Sequence, residues 1–64
     1  MSISGAQLAS TATTVEELTT RISRAADAFA EDGDETTAGE LYDVERSLAA
    51  ASRRLSTVVR RLNA

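Results

Sequence analysis

Sixty-four residues with ten acids, seven Arg and neither Cys nor His leave room for one small domain and little chemistry. Without Cys there is no disulfide and no thiolate zinc site, and without His the commonest metal ligand and the commonest neutral-pH base are missing. A net charge of −3 argues against general attraction to nucleic acid or an anionic membrane, and so short a chain, with Phe29 and Tyr42 as its aromatics, is left with oligomerisation as the common route to stability.

The chain opens with an uncharged stretch from Met1 to Val15 that is rich in Ser and Thr. It has no basic start and no apolar run, so neither a signal peptide nor a membrane span is expected, and cytoplasmic residence is the default expectation. All basic residues are Arg and Ala is abundant, which reads as the codon usage of a high-GC bacterial genome.

The first helix is expected over about residues 5–30, where Leu8, Thr11, Val15, Leu18, Ile22, Ala25 and Phe29 recur at alternating intervals of three and four. Two starts fit a capping box, Ser4 with Gln7 and Thr14 with Glu17. An acidic turn is expected at about residues 31–37, with Gly33 supplying a left-handed residue and Thr37, paired with Glu40, capping the next helix. The second helix is expected over about residues 38–63, where Leu41, Val44, Leu48, Ala51, Leu55, Val58 and Leu62 form an unbroken heptad seam.

A short connection favours antiparallel neighbours. Folding one run back on the other sets Phe29 opposite Leu41, Ile22 opposite Leu48 and Leu8 opposite Leu62. The expected fold is therefore all-α, an antiparallel two-helix coiled-coil hairpin that dimerises into a four-helix bundle. Beside the seam lies a second stripe of small residues, from which Ala12, Thr19, Ala26, Ala49, Ser52, Ser56 and Val59 are taken as the self-association face.

Charge is segregated along the chain. Eight acids and no base lie between Asp27 and Glu45, and five Arg and no acid lie between Arg46 and Ala64. The tip of the hairpin is therefore negative, and Arg53, Arg54, Arg60 and Arg61 make its open end positive and are the candidates for contact with an acidic partner.

Chemical motifs fail on spacing. Setting Gly33 as the glycine of a calcium loop puts Ala28 and Ala30 at ligand positions and Gly39 at the closing position, which needs Glu. Ser and Thr are numerous but have no His or Lys base, and no glycine-rich phosphate loop exists. No enzyme activity, cofactor, metal or small-molecule substrate is expected.

In length, connectivity and Arg-bearing surface the chain resembles the plasmid-copy-number RNA-binding hairpins, which form a four-helix bundle as dimers. In its two-helix build it also resembles the secreted Trp-x-Gly hairpins of type VII secretion. There it departs from the pattern, with Asp32-Gly33-Asp34 at the turn and Arg46 four residues after Tyr42, where the export signal has an acid. The functional expectation is a non-enzymatic protein–protein interaction module, a small adaptor, regulator or assembly subunit that binds itself and a protein partner. The alternatives are nucleic-acid binding through the Arg stripe and a secreted hairpin of type VII-like systems.

Overall fold

The computed structural model describes residues 4–64. Two helices, α1 (Gly5–Glu31) and α2 (Glu35–Leu62), pack antiparallel as a hairpin measuring 46 × 18 × 14 Å. Among the described residues no helix is long and apolar enough to cross a membrane.

Of the two possible starts for α1, the chain uses the earlier. Ser4 accepts a hydrogen bond from the Gln7 N–H at 3.1 Å, and the Gln7 side chain accepts one from the Ser4 N–H at 2.9 Å. This reciprocal capping box satisfies two N–H groups that a helix start leaves without partners. The Ser- and Thr-rich first turns stay helical although such residues are weak helix formers. The hydroxyls of Thr11, Thr13 and Thr14 each donate to the carbonyl one turn earlier, which removes their competition with the backbone.

The turn is shorter than the expected seven-residue segment, because α2 begins at Glu35 and only Asp32, Gly33 and Asp34 lie between the helices. Gly33 takes φ +85°, the left-handed region that costs other residues Cβ strain. Its N–H donates to Ala30 and the Asp34 N–H donates to Phe29, the paired bonds of a Schellman motif. Asp34 then caps α2, its carboxylate accepting from the Thr37 N–H at 3.1 Å. Thr37 is therefore not the N-cap expected from its spacing to Glu40. The Schellman geometry already fixes Asp34 in position, and a carboxylate there meets the positive end of the α2 dipole one turn sooner.

Two contacts show how the helices align. The Tyr42 hydroxyl donates to the Asp27 carboxylate at 2.5 Å near the tip. At the open end, a Cβ added to Gly5 would collide with the Asn63 side-chain amide.

The face in contact differs from the expected one by about one heptad position. Ala12, Ala26, Ala38 and Ser52 are the buried residues. They lie between half-buried Leu8, Val15, Thr19 and Ile22 on α1, and Leu41, Leu48, Leu55 and Val59 on α2. Meanwhile Leu18, Phe29, Val44 and Leu62, placed in the seam by heptad counting, are 43%, 41%, 46% and 52% exposed. Small side chains at the point of contact let two helix axes approach closely, so the larger residues pack beside the line of contact instead of across it.

Three outcomes test this architecture. Gly33→Ala adds no clash, since nothing lies within 4 Å of the added carbon. It should still cost about 1–2 kcal/mol of left-handed strain, visible as a lower melting temperature by roughly 4–8 °C per kcal/mol. Ala26, fully buried, should not tolerate Leu, with a loss of about 1–3 kcal/mol in urea unfolding, whereas Ala28→Leu on the exposed side should be nearly neutral. Hydrogen bonding from Thr37, side chain first and backbone second, holds the Asp34 carboxyl below its ordinary 3.8. Its stabilisation is therefore complete above 3.8 and lost as pH falls through the lower folded value. Asp34→Ala should lower the urea midpoint at neutral pH, and the gap to the parent should close in acid.

Candidate protein interface

Each residue taken from the sequence as a self-association face has a definite place in the hairpin. Ala12, Ala26 and Ser52 are buried, and Thr19, Ala49, Ser56 and Val59 are half-buried, on the side where α1 and α2 meet. Three of the seven are thus covered within the chain, and the other four are partly covered. Thr19 shows how the polar members are accommodated: its hydroxyl donates to the Val15 carbonyl at 2.8 Å and leaves its methyl group for packing.

The open surface is made by residues on one flank of both helices. Leu18, Ala25 and Phe29 follow one another at seven- and four-residue steps on α1, and Val44, Ala51 and Val58 at seven-residue steps on α2. In an antiparallel pair these two stripes fall on the same side of the line of contact. Leu18, Ile22, Ala25 and Leu48, with Arg21 at the border, line a groove of about 410 Å³ at mid-length. Heptad analysis identifies these residues as apolar and periodic. It sets Leu18 in the seam although Leu18 is 43% exposed, because periodicity alone does not say which edge of a wide apolar stripe touches the other helix.

No large side chain is fully buried among the described residues. Among the described residues every buried apolar residue is an Ala, while the Leu, Ile, Val and Phe side chains are half-buried or exposed. A thickness of 14 Å is little more than the ~10–12 Å of one helix with its side chains. The hairpin is thus a single layer, whereas stable domains close two layers over a core.

Polar features border this flank. Arg53, Arg54, Arg60 and Arg61 are all exposed. Among the described residues one ion pair forms, Arg46 with Asp43 one turn away on α2. The Arg60 guanidinium donates to the Thr57 hydroxyl at 3.3 Å, and α2 ends with Arg60 and Arg61 in its last turn, where cations suit the helix dipole. At the other end Asp27, Glu31, Asp32, Glu35 and Glu40 are exposed. The tip binds its own backbone through Asp34 and its own Tyr42 through Asp27, which pushes the Tyr42 hydroxyl above its ordinary value by favouring the protonated donor. Among the described residues no group of three or more metal-ligating side chains converges. Compared with known proteins, the chain matches no family model, no curated protein and no solved structure.

Proposed function

We propose that this chain is a non-enzymatic protein–protein interaction module, a helical hairpin that self-associates into a four-helix bundle. The observation that carries this reading is the lack of any fully buried large side chain beside an apolar flank with Leu18, Phe29 and Val44 more than 40% exposed. A second pair of helices laid on that flank converts one layer into two and supplies the missing core. Burying a Leu, Val or Phe side chain contributes about 1.5–3 kcal/mol when complete, so covering the exposed part of several such residues favours association. Such a module acts through what it assembles, as an adaptor, regulator or assembly subunit. The exposed Arg53, Arg54, Arg60 and Arg61 are the groups offered to an acidic surface.

Folding should therefore depend on concentration. The melting temperature should rise between roughly 1 and 100 μM chain, as binding to the folded state requires. Sedimentation over the same range should show a dimer. Leu18→Glu with Val44→Glu should abolish both the dimer and the concentration dependence. A parent chain that sediments as a folded monomer, with a melting temperature independent of concentration, refutes self-association.

A further inference from the structure

We infer that two copies meet flank to flank in antiparallel orientation, the acidic tip of each beside the Arg-bearing open end of the other. This rests on the reading of the hairpin as a self-associating module and adds which surface is used, what covers it and which way round.

Surface area fits the occupant. The chain exposes 4790 Å², whereas a compact protein of its 6.8 kDa exposes roughly 4,000 Å². The excess, roughly 800 Å², matches what each partner contributes to a standard interface. Shape agrees, because two layers of 14 Å stacked on the 46 × 18 Å face give the proportions of a bundle.

Orientation follows from charge. On α2, Glu40, Ser47, Arg54 and Arg61 recur at seven-residue intervals along the outer border of the apolar stripe, and Asp43 lies one turn from Glu40. The border is therefore acidic in its first half and basic in its second. When α2 of one copy runs antiparallel to α2 of the other, Glu40 and Asp43 fall opposite Arg54 and Arg61, twice over by symmetry. On α1 the same operation brings Glu17 toward Arg24. Arg21, at mid-length, faces its own copy but stays exposed at the wet border, where like charges are screened. The opposite arrangement places tip beside tip. It sets the eight acids between Asp27 and Glu45 beside eight more, with Arg46, already paired to Asp43, as the base next to them. Bordering pairs of this kind set orientation more than affinity.

The chain has no Cys, so Thr36→Cys, at an exposed site beside the tip, gives one point for a nitroxide label. In the antiparallel dimer the two labels are separated by close to the 46 Å length of the molecule. In the tip-to-tip dimer they lie within roughly 20 Å, about two interhelix spacings. A dimer with the short distance overturns the orientation and leaves self-association standing. A folded monomer at every concentration overturns both and assigns the flank to a different protein.

A charge exchange gives an independent reading that does not depend on the label. Arg54→Glu with Arg61→Glu, and separately Glu40→Arg with Asp43→Arg, should each weaken self-association by roughly tenfold, because each double variant faces like charge. Mixed together, the two variants should form a heterodimer at least as tight as the parent dimer. A mixture that pairs no better than either variant alone overturns the proposal.

Discussion

The structure depends on how closely two helices can approach. Ala12 and Ala26 of α1 and Ala38 and Ser52 of α2 are the most deeply buried of the described residues, and side chains this small let the other helix come close. Close backbone approach gives dense packing from few atoms, but it squeezes the larger side chains to the edges of the contact. Each Leu and Val is then covered on one side only. Its most deeply buried residues are therefore its smallest, while Leu18, Phe29, Val44 and Leu62 keep more than 40% of their surface exposed. Dispersion over a narrow line of contact is a weak hold for a chain of this length.

The turn and the contact line support one another. Asp34 ends one helix with its N–H and begins the next with its carboxylate, so the three-residue connection leaves no slack for the helices to slide. That fixes the register at the tip, and the Asp27–Tyr42 hydrogen bond repeats it about two helix turns further along. At the far end Gly5 lies beside the Asn63 side chain. These are local polar and steric constraints that specify alignment, while burial of small apolar groups supplies the attraction. Acids at the end of α1 oppose its dipole, and α1 has no basic residue in its last turn. Their placement is not explained by the stability of the isolated hairpin.

Much of this was legible in the sequence, for definable reasons. Two long 3-4 periodicities without Pro specify two helices, and Gly33 between them specifies where the chain reverses. Antiparallel register follows from equal run lengths. What heptad counting missed was rotation about the helix axis. It ranks Leu18 above Ala12 because it scores transfer from water, whereas the contact between a single pair of helices is decided by how near the axes can come. The small residues of the Ala, Ser and Thr stripe suit close approach, and Ala12, Ala26 and Ser52 are buried within the chain. The cap was misplaced for a similar reason. Thr37 and Asp34 are both capable N-caps, and only the Schellman bonds from Gly33 and Asp34 decide between them. Those bonds depend on backbone geometry that residue identity suggests but does not specify.

The position of the turn has a kinetic consequence. It lies at the middle of the chain, so every interhelix contact is reached by closing outward from one point, and the sequence separation of the contacts grows steadily toward the ends. Near the tip Asp27 and Tyr42 are separated by 15 residues along the chain. Gly5 and Asn63, at the open end, join nearly its whole length. Loop-closure entropy therefore favours zippering from Gly33 outward. The same gradient makes amide exchange fastest at the open end and slowest beside the tip, apart from the turn itself.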